Sequence, residues 1–87
     1  MVARNSEDGK AEDIKYFASG KYTVIFTTND TYTASDFIDT ENLKFAAIIK
    51  NVDGSELTNS VTNNVITCTS AAVTDAECTV FIFGVKA

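Results

Sequence analysis

A serine, threonine or cysteine becomes a nucleophile when a base sits within hydrogen-bonding reach. The commonest such base, histidine, is absent from this 87-residue chain. Lysine or a carboxylate would have to serve, and no such pair stands out along the sequence. Asp36, Asp39 and Glu41 offer closely spaced oxygen ligands, but without the alternation and pivotal glycine of a calcium loop they read as a solvated loop. Asp75 and Glu77 stand near the 70–76 connection, where an exposed hairpin tip would leave an acid pair unperturbed and unsuited to proton transfer. Asn29-Asp30-Thr31 fits the glycosylation triplet, with no export signal to accompany it. The chain is expected not to be an enzyme.

Cys68 and Cys78 are the two cysteines. Without histidine or a C-x-x-C spacing they do not make a zinc site, and neither a metal nor another cofactor is expected. In a hairpin centred near Val73 they would lie directly opposite, within bridging distance, so a disulfide fits that register. Two reduced, buried thiols acting as small apolar side chains fit synthesis in a cytosol.

The charge balance removes further classes. Lysine and arginine number 7 against 12 aspartates and glutamates, for a formal charge of −5. That is the wrong sign for tracking phosphates, so nucleic acid is not an expected partner. With no proline there is no polyproline recognition segment. The polar start Met1-Val2-Ala3-Arg4-Asn5-Ser6-Glu7-Asp8-Gly9-Lys10 lacks the apolar stretch of a signal peptide, and apolar runs elsewhere fall far short of the ~18 residues of a membrane span. Cytosolic synthesis and no membrane partner are the expectation.

The elements that must position any site are strands. Eight valines, seven isoleucines and twelve threonines stand against two leucines, a composition that favours pleated structure over helix. Residues 1–19 read as a charged N-terminal arm and 20–87 as a single β-domain. Within the arm, Ser6 could cap a short helix carrying Ala11, Ile14, Phe17 and Ala18 at helical spacing, with Gly20 past its end. An extended arm is equally compatible, because Gly9 weakens the helix.

From Lys21 the period is two, with Tyr22, Val24 and Phe26 on one face, until Asn29-Asp30 ends the run. Tyr32 begins a short return strand. Residues 34–41 read as a loop or single helical turn whose Phe37 and Ile38 plug the core. The segment 43–52 is expected as a strand with Leu43, Phe45, Ala47 and Ile49 together on one face. Asp53-Gly54 makes a tight turn, and Ser55 to Val61 returns as a polar edge strand. Asn63-Asn64 turns the chain into Val65–Thr69. The last strand, Glu77 to Val85, is apolar on both faces, as a central strand would be. About six strands with turn signals at short intervals predict an all-β fold, a small antiparallel β-sandwich or open barrel. Lys44 and Lys50 suit outward gatekeepers on a sticky strand. Tyr16, Phe17, Tyr22 and Tyr32 serve either as core filling or as an aromatic docking patch.

The charged arm, the Thr-, Asn- and Val-rich β-domain without His or Trp, and the ending Cys78-Thr79-Val80-Phe81-Ile82-Phe83-Gly84-Val85-Lys86-Ala87 resemble the small structural proteins of tailed bacteriophages, particularly head decoration or cement proteins. The resemblance implies a non-enzymatic virion subunit, made in the host cytoplasm. It would bind a major capsid or other virion protein in many copies and form homo-oligomers. The residues expected to carry the contacts are Arg4, Lys10, Ile14, Tyr16 and Phe17 from the arm and Glu56 and Leu57 from the polar edge. An immunoglobulin-like module of a phage tail or fibre, recognising a host-surface ligand through aromatic residues at one end of the sandwich, is the other reading.

Overall fold

Period-two alternation of β-branched and aromatic residues becomes seven strands: β1 (Phe17–Phe26), β2 (Thr31–Thr33), β3 (Thr40–Lys50), β4 (Glu56–Leu57), β5 (Asn59–Thr62), β6 (Val65–Cys68) and β7 (Ala76–Lys86). The computed structural model describes residues 16–87. Strands make up 62% of it, in two antiparallel sheets, so the chain is a small all-β fold. One sheet has the order β1-β7-β3-β4 and the other β2-β6-β5. A single 3-10 turn, Ala34–Asp36, stands between β2 and β3. No helix among the described residues is long and apolar enough to cross a membrane.

The inward side chains of both sheets meet in one core. Phe26 from β1, Ile48 from β3, Ile66 and Cys68 from β6, and Cys78 and Val80 from β7 are completely buried. β-branched side chains suit these positions because a pleated surface holds them in preferred rotamers against their cross-strand neighbours. The edge of this core is aromatic. Tyr22 stacks on Phe37 with ring centroids 4.1 Å apart, and Phe26 meets Tyr32 edge-on at 4.9 Å.

Polar clasps close the sandwich. Buried Thr40 donates its Oγ1 hydrogen to Asn64 Oδ1 at 2.9 Å, and Asn64 Nδ2 donates to the Thr40 carbonyl at 2.9 Å. The Ala34 N–H donates to the Asn64 carbonyl and the Leu43 N–H to that of Asn63. The β5–β6 turn thus accepts hydrogen bonds from both the 3-10 turn and β3. Its Asn63 takes a positive φ of 54°, a conformation asparagine tolerates better than most residues. At the other end Thr28 Oγ1 accepts from the Val73 N–H and donates to the Ser70 carbonyl, which fixes Val73 in the core.

Four sequence expectations change here. The segment Ser55 to Val61 is not one strand but two, β4 on the edge of the first sheet and β5 on the edge of the second. Thr58 makes the corner between them: its N–H donates to Ser70 Oγ and its carbonyl accepts from the Thr69 N–H. Leu43, Phe45, Ala47 and Ile49 do not share a face. The β3–β7 register slips between Leu43 and Phe45, so Leu43, Ala46 and Ile48 point inward and Phe45 outward; one extra residue in a strand reverses the alternation beyond it. Phe37 does not plug the core: it lies half exposed over Tyr22, and Ala34 fills the buried position. The regular strand already begins at Phe17, so 17–19 belong to the sheet rather than to the arm.

Candidate functional site

The outward residues of the first sheet form rows read directly from the register. Phe17 lies beside Val85, Ser19 beside Phe83 and Phe45, Lys21 beside Phe81 and Ala47, Thr23 beside Thr79 and Ile49, and Ile25 beside Glu77. Phe17, Ile25, Phe45, Phe81 and Phe83 are each between 40% and 57% exposed. Phe17 and Phe83 stack with centroids 5.3 Å apart, so the rings make one contiguous patch. Large apolar side chains gathered on a surface mark a contact region, where a lone exposed one means little.

The strand β1 adds a second feature to the same sheet. Among the described residues its one strand partner is β7, and no strand pairs with its other edge, although the Tyr32 hydroxyl donates to the Ile25 carbonyl. A free strand edge is a template for pairing with another chain unless charge, proline or a bulge blunts it. β1 contains one charged residue, Lys21, no proline, and an unbroken register along its length.

An open concavity of about 560 Å³ occupies the far end of the face, lined by Lys21, Thr23, Ile49, Lys50, Thr79 and Phe81 among others. Thr79 and Asn51 in its lining are already engaged. Thr79 Oγ1 donates to Asn51 Oδ1 at 2.7 Å, and Asn51 Nδ2 donates to Glu77 Oε1 at 3.0 Å. Asp75 instead accepts from Thr27 Oγ1, so the two acids of the 70–76 region hold separate partners. Among the described residues no three side chains of the His, Cys, Asp or Glu types gather at a metal-binding spacing, Asp36, Asp39 and Glu41 included.

Two titratable groups are shifted by burial. Burial and the neighbouring Tyr32 push the Tyr22 phenol from 10.0 to about 12, and its buried hydroxyl has no hydrogen-bond partner. Burial, with Cys68 nearby, raises the Cys78 thiol above 9.0, and the thiol donates to the Ala76 carbonyl. A thiol so placed stays protonated and is a packing residue. Asp53 titrates below its usual value, because its carboxylate accepts the N–H and hydroxyl of Ser55 across the turn before β4.

The site residues expected from sequence separate. Arg4, Lys10 and Ile14 lie outside the described residues, as does the first part of the helix expected to follow Ser6; its expected end at Phe17 and Ala18 is instead β-strand, paired with Val85 and Gly84. Tyr16 is largely exposed, and its carbonyl accepts the Lys86 N–H, so the chain enters β1 at the β7 C-terminal end of the sheet. Phe17 is in the aromatic patch. Tyr22 and Tyr32 pack against the core. Glu56 is exposed on the β4 edge, but Leu57 is buried in the core and cannot meet a partner. Cys68 and Cys78 are free buried thiols. The hairpin that would oppose them does not form: Cys68 pairs with Asn59 in the second sheet and Cys78 with Val24 and Lys50 in the first.

Phe45, Phe81 and Phe83 were missed as surface residues. The signal was a last strand apolar on both sides, which reads as doubly covered when only one side is. Comparison with family models, curated proteins and solved structures finds no match for this chain.

Proposed function

We propose that the protein is a non-enzymatic structural subunit, a decoration or cement protein that binds and stabilises the shell of a tailed bacteriophage. The observation that carries the reading is β1, a ten-residue strand whose free edge begins where residues 1–15 join the sheet. A terminal segment continuous with an edge able to add a strand can clamp neighbouring shell subunits. Shell symmetry repeats that contact many times, which offsets the modest area one small domain offers.

In this reading the contacts to the major capsid or other virion protein come from Arg4, Lys10, Ile14 and Tyr16, from the β1 edge and from Glu56. The protein is made in the host cytoplasm and resides in the virion, with nucleic acid and membrane playing no part in its attachment. The exposed rings lie across the flat of a sheet rather than at the loop end of the sandwich. This arrangement favours lateral adhesion over the end-on recognition of an immunoglobulin-like fibre module.

Co-sedimentation of the purified full chain with assembled shells tests the reading. Saturable binding is expected, and deleting residues 1–15 should weaken it at least tenfold. Undiminished binding of the truncated chain rejects the role of that segment. No binding of the full chain rejects the shell reading.

A further inference from the structure

The aromatic patch is more apolar surface than a small acidic subunit needs for solubility. The four phenylalanines Phe17, Phe45, Phe81 and Phe83 are 44%, 57%, 43% and 40% exposed. At the size of an aromatic side chain they leave roughly 400 Å² of ring surface in contact with water. A specific protein interface uses about 800 Å² on each partner. The rings supply half of that, and Ile25, Ala47, Ile49 and Val85 extend the patch along the same strands.

Charge identifies what fits there. The described residues include four lysines and eight carboxylates. On this face the paired positions hold one of each, Lys21 and Glu77, and the residues unpaired at the two irregularities of β3, Glu41 and Lys44, add one more of each. Of the other lysines, Lys50 lines the concavity at the end of this face, and Lys86 stands against Asp30, Asp36, Asp39, Asp53, Glu56 and Asp75 elsewhere. Among the described residues the acidic excess therefore lies in the turns and on the β4 edge; both outer sheet faces are close to neutral, and only the first is apolar. Joining two copies at this face keeps their acidic turns at the periphery, whereas the equally uncharged threonine face offers no comparable apolar area. Residues 1–15 suit the patch poorly, since they contain seven charges whose desolvation against phenyl rings is unfavourable.

We infer that the protein is a two-fold dimer in which the outer faces of the two β1-β7-β3 sheets pack against each other. A two-fold axis across the strands at the row Ser19–Phe83–Phe45 sets Phe83 and Phe45 against their own copies. It also sets Phe17 over the partner's Lys21 and Val85 over the partner's Phe81, an isologous contact of rings, a branched side chain and a cation over an aromatic face. The β1 edge lies outside this face-to-face contact, so the dimer presents two such edges. This inference does not depend on the shell reading, because it is measured on the purified chain alone.

Sedimentation velocity of the full chain over micromolar to millimolar concentration tests it. A monomer–dimer equilibrium is expected, tightening several-fold as salt rises and screens the acidic remainder. Phe83→Lys and Phe45→Lys, each present twice in a dimer, should each weaken association about a hundredfold, with the strand circular dichroism unchanged. Thr31→Lys, on the second sheet, should leave association unchanged. Phe45 is the most exposed of the four phenylalanines, so its substitution reports even where Phe83→Lys disturbs folding. A monomer at millimolar concentration, another stoichiometry, or a dimer indifferent to both phenylalanine substitutions overturns the inference. So does a monomer that dimerises only after deletion of residues 1–15, which assigns the face to that segment.

Discussion

The two outer faces of this sandwich differ in the way a core differs from a surface. On the second sheet the outward rows are Thr31, Thr67 and Ser60, then Thr33, Val65 and Thr62. Five of these six positions carry hydroxyls, which water satisfies at no cost. On the first sheet the outward rows include Phe17, Phe45, Phe81, Phe83 and Ile25, each about half in solvent, among fewer polar residues. Both sheets bury the opposite face in the same core. The threonine face is finished by water, whereas the aromatic face has the composition of an interface core. A strand's two faces answer to different environments, and only the inner one answers to the fold.

Substitutions at matched positions can break that contrast. Phe26→Ala removes a completely buried inner-face ring and should cost about 3–5 kcal/mol of unfolding free energy, read from urea denaturation. A cost near zero would show that the inner face is not the structural one.

Gly84→Ala tests the irregularity that decides which β3 residues face outward. A Cβ there would stand 2.6 Å from the Asn42 carbonyl oxygen and 3.0 Å from the Leu43 Cα, backbone atoms that cannot step aside. A loss of about 1–3 kcal/mol is expected, together with a change in Phe45 accessibility measured by side-chain NMR.

Tyr22→Phe probes the inner face at its rim, where the hydroxyl is buried without a partner. Removing it should raise stability by about 1 kcal/mol at neutral pH. The folded-state pKa is raised from 10.0 to about 12, so the neutral phenol's contribution is complete below pH 10 and disappears as pH climbs through 12. In the variant this alkaline loss should shrink, measured as the difference in melting temperature between pH 9 and pH 11. Phe81→Thr, which gives the outer face the chemistry of the second sheet, should change monomer stability by less than about 0.5 kcal/mol while reducing self-association.

The sequence made the strands of this protein legible and left their partners obscure. β1 from Lys21 onward, β6 and β7 show their alternation in Tyr22-Val24-Phe26, Ile66-Cys68 and Cys78-Val80-Ile82, because period-two burial is a local property. Phe45 was misassigned because a single unpaired residue, Lys44, inverts the alternation, and nothing in residue type announces a bulge of this kind. Leu57 looked accessible because its neighbours Ser55, Glu56 and Thr58 are polar, yet the short β4 points it into the core. The candidate surface was half visible. Phe17 was named for contact, and Phe81 and Phe83 lay in a strand whose two apolar faces suggested burial on both.

Composition and periodicity alone settled that this chain makes a small antiparallel β fold, because branched side chains and period-two patterning act between adjacent residues. Three-dimensional pairing decided the rest. It decided that β6 and β7, adjacent in sequence, belong to different sheets, so that Cys68 and Cys78 never oppose each other in a ladder. It also decided that the second sheet covers one side of the central strand β7 and leaves the other to solvent. Which side of an apolar strand is covered depends on where distant segments pack, and that energy is set by non-local contacts the local pattern does not contain.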